Sequence, residues 1–92
     1  MTNTAILVKG LPIDYSDLPE HMQDGMRLYI ESRIEPGSFM ISVLSNDLRG
    51  ACERADNINR HRLFDIVSWL YNHAPSRCWG SREAVAAWLG GK

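Results

Sequence analysis

The sequence predicts an all-α protein, a compact bundle of about four helices that follows an extended N-terminal arm. Apolar residues recur every three or four positions in four successive segments, which is the spacing of one helix face. Residues that cap or end helices separate these segments. The apolar run at residues 5–8 lacks a second run that would pair with it as a strand. Residues 1–16 are therefore predicted to form the arm, and residues 17–92 the helical core of a single domain.

The central helix of the bundle is predicted over residues 57–74, NINRHRLFDIVSWLYNHA. Asp56 stands where its side chain can cap the first turn, and Pro75 ends the helix because it has no backbone N–H to donate. We predict that a stripe of apolar residues along one face is buried, so that Phe64→Ala would open a cavity in the core. The stripe consists of Leu63, Phe64, Val67, Leu70, Tyr71 and Ala74.

Two helices are predicted before the central one. The first begins at Ser16 or Asp17 and ends near Arg33. The second is capped by Ser38 and continues to about Ala55. Their apolar stripes comprise Leu18, Met22, Met26, Tyr29 and Ile30 in the first helix and Met40, Val43, Leu44, Leu48, Ala51 and Ala55 in the second.

The second helix is predicted to stop before the central helix begins. The apolar stripe of the central helix is rotated by about 120° from the stripe that ends at Ala55, so one straight helix would not bury both against the same neighbour. A break at Asp56 removes this conflict. Further along, Ser81 caps a short last helix over residues 82–89, whose inward side chains are Val85, Trp88 and Leu89.

Composition places the chain among ordinary globular proteins and excludes several classes. The net charge is −1 at pH 7, and no apolar run approaches the roughly 20 residues of a membrane span. The N-terminus lacks the pattern of a secretory signal, and Cys52 and Cys78 lie outside any CxxC motif. We therefore expect an intracellular, cytoplasmic protein that has free thiols, with Cys52 buried, and that uses no cofactor.

Charge is divided unevenly along the chain. Residues 1–48 carry three basic and seven acidic side chains, a balance of −4, whereas residues 49–92 carry seven basic and four acidic ones, a balance of +3. Such a split either guides head-to-tail self-association, or draws an anionic ligand to the C-terminal half, or reflects two solvated halves.

Four polar residues near the junction of the second and central helices are directed inward by the helical pattern. They are Asp47, Arg54, Asn59 and Arg60. One interpretation is a buried hydrogen-bonded network that fixes how the two helices pack. The other is a polar pocket in which the arginines and the asparagine hold an anionic or nucleotide-like ligand.

A second group of residues lies on a flank of the central helix, beside its main apolar stripe. Its members are Ile58, Arg62, Ile66, Trp69 and His73. Because Trp and Arg anchor many interfaces, one interpretation is that this flank forms a subunit or partner surface. The other is that the last helix and Trp79 cover it within the monomer.

Catalytic and metal-binding signatures are weak in this sequence. His61 and Asp65 lie one turn apart, but no third metal ligand follows at a suitable spacing. The sequence has no GxSxG motif, no phosphate-cradling glycine loop and no recognisable catalytic cysteine, so we predict that the protein is not an enzyme. The arginines of the C-terminal half leave nucleic-acid binding as an alternative, although the near-neutral net charge disfavours it.

Six segments of the chain carry a resemblance to a known group of proteins. They are GMRLYIESRIEPGSF, VLSNDL, RADNINRHRLFDI, LYNHAP, CWGS and AWL. Through these segments, residues 18–89 resemble small accessory proteins encoded by tailed phages and prophages. The motifs carry no assigned chemistry, so the resemblance implies a context instead of catalytic residues. Short phage accessory proteins act by binding a host protein, a host nucleotide signal or nucleic acid.

The expected function is therefore that of a non-enzymatic, phage-type accessory protein in the host cytoplasm. Counter-defence is the expected role, either by sequestering a nucleotide-derived signal at Arg54, Asn59 and Arg60, or by inhibiting a host defence protein through the Trp69 flank. The alternative is a regulator that binds nucleic acid through the basic C-terminal half. The arm and the flank together predict a homo-oligomer, and no membrane partner is expected.

Overall fold

The structure, a computed structural model, describes residues 7–8 and 11–90 of the chain, with side chains from residue 13 onward. This part of the protein contains five α-helices, so the all-α class is confirmed and the number of helices exceeds the predicted four. None of these helices is long and apolar enough to cross a bilayer. The helices are α1 (Glu20–Ser32), α2 (Ser38–Leu44), α3 (Leu48–Arg54), α4 (Asn57–His73) and α5 (Arg82–Gly90), with a 3₁₀ turn (Ser76–Cys78) between α4 and α5.

The predicted arm contains a short antiparallel pairing of two-residue strands. β1 (Leu7–Val8) pairs with β2 (Leu11–Pro12). The expectation that the apolar run lacks a partner is wrong, because β2 is too short to show the alternation that marks a strand in a sequence. Residues 1–6 and 9–10 of the arm lie outside the described residues.

The predicted second helix is in fact two helices, α2 and α3. Asn46 adopts a left-handed conformation with φ of 62°, and the Asp47 carboxylate then caps α3 by accepting a hydrogen bond from the Gly50 N–H at 3.0 Å. The short polar side chains of a Ser-Asn-Asp run compete with helical hydrogen bonding, which breaks the helix despite the apolar periodicity on both sides. The prediction that Asp47 points into the middle of a buried helix face is therefore wrong.

Local capping signals identify most of the other helix boundaries. The Asp56 carboxylate accepts a hydrogen bond from the Asn59 N–H at 2.7 Å, and the Ser81 hydroxyl accepts one from the Ala84 N–H at 3.0 Å. The predicted caps at Asp56 and Ser81, and the predicted break before α4, are confirmed. The predicted cap at Ser38 is wrong, because Ser38 is already the first residue of α2 and the residue before it, Gly37, has no side chain to cap the helix. Helix α1 begins later than predicted, because Pro19 keeps an extended conformation and the helix starts only after it.

The buried face of α4 is rotated from the predicted one. Ile66 is completely buried and Trp69 is 2% exposed. By contrast, Phe64 and Tyr71 are 81% and 80% exposed, so the prediction that Phe64 belongs to the core is wrong. At 100° per residue, the observed face is turned by about 90° from the predicted stripe. The buried residues of α4 are Asn59, Ile66, Trp69 and Leu70.

The position of α1 decides which face of α4 is buried. Helix α4 carries apolar residues around much of its circumference, and periodicity alone does not show which side the rest of the chain will cover. The chain covers the Trp69 side, where His21 of α1 hydrogen-bonds to Asn59 and Asp14 accepts a hydrogen bond from the Trp69 ring.

Tyr29 of α1 lies at the centre of the hydrophobic core. Its hydroxyl donates a hydrogen bond to the Cys78 carbonyl at 2.7 Å, and its own carbonyl accepts one from Trp88 Nε1 at 3.0 Å. The Gly80 N–H donates to the Leu44 carbonyl at 2.7 Å, which attaches the same loop to the end of α2. The other large side chains that are completely buried are Met26, Ile30, Leu44, Ile66, Leu70 and Cys78.

The two cysteines have different environments. Cys78 is buried, and burial raises the pKa of its thiol to about 12. Cys52 is exposed on α3, so its predicted burial is wrong. Its position follows from the break at Asp47, because α3 is a separate helix and the α2 stripe does not continue into it in phase.

Substitutions on the two sides of α4 should differ in their effect on stability. Ile66→Ala should lower the free energy of unfolding by about 2–5 kcal/mol, because it leaves a cavity in the core. Phe64→Ala should change it by less than about 1 kcal/mol, because the ring already lies in solvent. Urea unfolding of both variants measures the difference. Similar losses for the two would contradict the observed orientation of α4.

The two thiols should react at very different rates with a thiol reagent such as Ellman's. Cys52 should react at once in the folded protein, whereas Cys78 should react only as fast as the core opens, because it is buried and protonated. In the Cys52→Ser variant only the slowly reacting thiol, Cys78, remains, and urea should accelerate its reaction with the reagent. Rapid labelling of the folded Cys52→Ser variant would show that Cys78 is accessible.

Candidate ligand-binding site

Two adjoining clefts share Arg54, Pro36 and Ser38 in their walls. The larger, of about 520 Å³, lies between α2 and α5, and we call it the α2–α5 cleft. The smaller, of about 380 Å³, lies between α1, α2 and the start of α4, and we call it the α1–α4 cleft. Arg54 therefore lies where a ligand in either cleft would meet a positive charge.

The α2–α5 cleft combines a polar wall with an apolar one. Arg54 and Arg82 bring two guanidinium groups to it, and Glu35 and Asp47 bring two carboxylates. Three serine hydroxyls are added from α2 and from the turn after it. Ligand sites of small molecules commonly have this character, with an apolar lining and a few convergent polar groups. The apolar wall consists of Ile41, Val85, Ala86 and Leu89.

Arg54 ends α3, and its guanidinium folds back over that helix. Its Nη1 atom donates to the Gly50 carbonyl at 3.3 Å and reaches the Ser42 hydroxyl at 3.5 Å. Among residues 13–90, Arg54 forms no ion pair with a carboxylate. A positive charge at the C-terminus of a helix is favourable by itself, so Arg54 keeps its place while its charge stays available to a ligand.

Gly50 makes room for the polar groups above α3. A Cβ atom at this position would lie 2.7 Å from Arg54 Nη1 and would clash with Asp47 Oδ2. The absence of a side chain therefore lets the guanidinium and the carboxylate both lie against the helix. A methyl group here would displace the Asp47 carboxylate, which caps α3 through the Gly50 N–H, as well as the Arg54 guanidinium.

Asp47 has a structural role that the sequence analysis did not assign. It is the N-cap of α3, and it makes no ion pair with Arg54 within the described part of the chain. The predicted buried network of these two residues is therefore absent. The carboxylate still borders the α2–α5 cleft, where it adds a hydrogen-bond acceptor.

Asn59 and Arg60, the other two predicted ligand-binding residues, separate in the structure. Asn59 is buried, and its Oδ1 lies 3.0 Å from His21 Nε2, in the wall of the α1–α4 cleft. Arg60 is exposed and lines neither cleft. Successive residues of a helix point about 100° apart, and here Asn59 is turned toward α1 while Arg60 is turned toward solvent. The structure thus brings together Asp47, Arg54 and Asn59 around two clefts and leaves Arg60 outside.

The predicted interface flank is largely covered by the protein's own chain. The Trp69 ring donates to the Asp14 carbonyl at 2.9 Å and stacks on Tyr15 with ring centroids 5.3 Å apart. Ile66 is buried as well, so these two residues do not form an open surface. Residues 14–15, which precede α1, therefore contribute to the cover of this flank.

The other members of the flank remain accessible, and their role as a partner surface stays a prediction. Arg62 and His73 are half-buried beside Trp69, and the three border a shallow hollow of about 320 Å³. Ile58 is 58% exposed and lies one turn before Arg62. The Arg62 guanidinium forms an ion pair with Asp65 at 2.7 Å, and His61 Nδ1 lies 2.8 Å from the Asn57 carbonyl.

Three groups in the clefts escaped the sequence analysis. Arg82, Ser42 and His21 reach them from three different helices. Only the capping signal at Ser81 hinted at Arg82, because it placed that residue in the first turn of a helix. No local pattern shows that α5 packs beside α2. Within the described residues, no group of three His, Cys, Asp or Glu side chains is arranged to hold a metal ion.

Comparison with protein-family models, curated proteins and solved structures gave no match to this chain. The resemblance to phage accessory proteins therefore stays a prediction. Function has to be argued from the clefts themselves.

Asp47→Ala and Asp47→Asn should separate a capping role from an ion-pair role. Asp47→Ala should lower the free energy of unfolding by about 0.5–2 kcal/mol, because it removes the cap of α3. Asp47→Asn should change it little, because Asn caps helices as well as Asp does. Urea unfolding near pH 7 measures both. A comparable loss in Asp47→Asn would show that the negative charge itself stabilises the fold.

Proposed function

We propose that this protein is a non-enzymatic binding protein that holds a phosphate-bearing, nucleotide-like small molecule in the α2–α5 cleft. The observation that carries the proposal is the Arg54 guanidinium, which lies at the junction of two clefts without a carboxylate partner among the described residues. A planar guanidinium fits the oxygens of a phosphate with two parallel hydrogen bonds.

The chemistry of the cleft supports a nucleotide-like ligand over a bare anion. Arg54 and Arg82 suit a phosphate, and the carboxylates of Glu35 and Asp47 suit the hydroxyl or amino groups of a nucleoside. The apolar wall from α2 and α5 offers a surface for a planar base. The volume of about 520 Å³ lies within the range of small-molecule sites.

Sequestration is the mode of action that we propose, in the counter-defence role that the resemblance to phage proteins implies. A protein that lowers the free concentration of a host nucleotide signal needs affinity and no reactive group. We favour sequestration over inhibition of a host protein through the Trp69 flank, because Asp14 and Tyr15 cover Trp69, the expected anchor of that surface, within the monomer.

Arg54→Gln should weaken ligand binding and leave the fold intact, because the side chain is exposed and makes no ion pair in the described region. We expect a nucleotide panel, including cyclic and linear dinucleotides, to raise the melting temperature of the native protein. Loss of a charged hydrogen-bond donor should weaken affinity about 10- to 100-fold. Arg60→Gln is the matched control, since this exposed arginine lines neither cleft.

Two results would contradict the proposal. One is the absence of any thermal shift across the panel, and the other is equal loss of binding in Arg54→Gln and Arg60→Gln. Mixed-sequence duplex DNA serves as the comparison ligand. Binding to duplex that weakens steeply as salt rises would support the nucleic-acid regulator in place of a small-molecule binder.

A further inference from the structure

The exposed face of α4 carries an apolar surface that no part of the described chain covers. We define the α4 stripe as Phe64, Val67 and Tyr71, together with Leu48 of α3 beside it and the exposed edge of the partly buried Leu63. We propose that the α4 stripe is a homodimer interface, in which α4 packs antiparallel against α4 of a second copy of this chain about a two-fold axis near Val67.

The exposed area is close to what a specific dimer requires. Phe64 and Tyr71 are each about four-fifths exposed, and at ~200 Å² for a whole aromatic side chain the two rings expose about 300 Å². Leu48, at 67% exposure, and the partly exposed Val67 raise the apolar area to about 400 Å² per copy. Two copies would bury about 800 Å² of apolar side chain, to which neighbouring polar atoms add, against the 1,000–1,200 Å² or so at which specific interfaces begin.

The geometry of the stripe suits a second copy of itself. Phe64 and Tyr71 are two helical turns apart, about 10.5 Å, with Val67 between them. Antiparallel pairing about an axis near Val67 would place Phe64 against the partner subunit's Tyr71, and the same contact would repeat on the other side of the axis. Aromatic pairs of this kind contribute beyond their buried area.

A small hollow beside the stripe adds to its shape complementarity with a second copy. It has a volume of about 40 Å³ and lies between α2, α3 and α4, next to Val67 and Leu48. The same surface therefore presents projecting rings and a hollow. That combination is the condition for a self-complementary, two-fold contact.

Charge is compatible with a second copy on this face. The stripe itself contains no charged residue, Asp65, Arg62 and His61 lie on other sides of α4, and Arg60 lies at the end of the stripe, one turn before Phe64. In a two-fold contact a residue meets its own copy only at the axis. Pairing about an axis near Val67 would place Arg60 opposite the partner subunit's Pro75, so no like charges meet. Phe64, Val67 and Tyr71 line neither cleft that contains Arg54, so this inference stands apart from the proposed function.

Sedimentation velocity on the wild type and two aspartate variants tests the interface. The wild type should pass from monomer to dimer between about 1 and 100 µM, and Phe64→Asp should weaken the association at least tenfold. Ile58→Asp is the matched control, because Ile58 is an exposed apolar residue of α4 that lies outside the stripe. It should leave the dimer unchanged. Circular dichroism should show that both variants keep the helical fold.

A cysteine cross-link tests the two-fold axis independently. In a Cys52→Ser background, Val67→Cys lies near the proposed axis, so it should form an intermolecular disulfide on mild oxidation, whereas Ile58→Cys should not. A wild type that stays monomeric at about 100 µM would overturn the proposal and leave the stripe to a different partner. A dimer that survives Phe64→Asp, or that Ile58→Asp disrupts equally, would overturn it by placing the interface elsewhere.

Discussion

The two hydrogen bonds of Tyr29 are the interaction on which the rest of the structure depends. Its hydroxyl holds the Cys78 carbonyl, and its carbonyl holds the Trp88 ring, so one residue of α1 fixes both the 3₁₀ turn and α5. These groups are buried, where an unpaired polar atom would cost about 1–3 kcal/mol. Burial also raises the pKa of the Tyr29 hydroxyl, which keeps it a neutral donor across the physiological range.

The α2–α5 cleft is a consequence of that arrangement. Because Trp88 is fixed on one side of α5, an adjacent side of that helix is directed toward α2, and Arg82 comes to the same cleft as Arg54. Arg33 reinforces the position of Trp88, since its guanidinium lies 4.0 Å from the ring centroid and donates to the Trp88 carbonyl at 3.2 Å. The cleft is therefore set by a core contact that involves none of its own lining residues.

Capping signals can be recognised in a sequence, whereas the packing of distant segments against each other cannot. The caps at Asp56 and Ser81 were predictable because each depends on a side chain and a backbone N–H three residues later. The break at Asp47 depends on the same kind of local cap. The prediction of one continuous second helix follows the apolar periodicity, although the Ser-Asn-Asp run indicates a break. The face of α4 was not predictable in this way, since its burial depends on Asp14 and Tyr15, more than fifty residues away in the chain.

The error over α4 points to a physical property of the helix. Helix α4 carries apolar residues around more of its circumference than one buried face needs, and the periodicity predicts the core on one side and additional apolar surface on the other. The structure reverses the sides, with Trp69 covered by Tyr15 and Phe64 left in solvent. Whichever face of α4 is buried, apolar surface remains on another face, because a 92-residue chain has few elements with which to surround a seventeen-residue helix. The side of α4 that residues 13–90 leave open is therefore the side where another molecule can add to the stability of the fold.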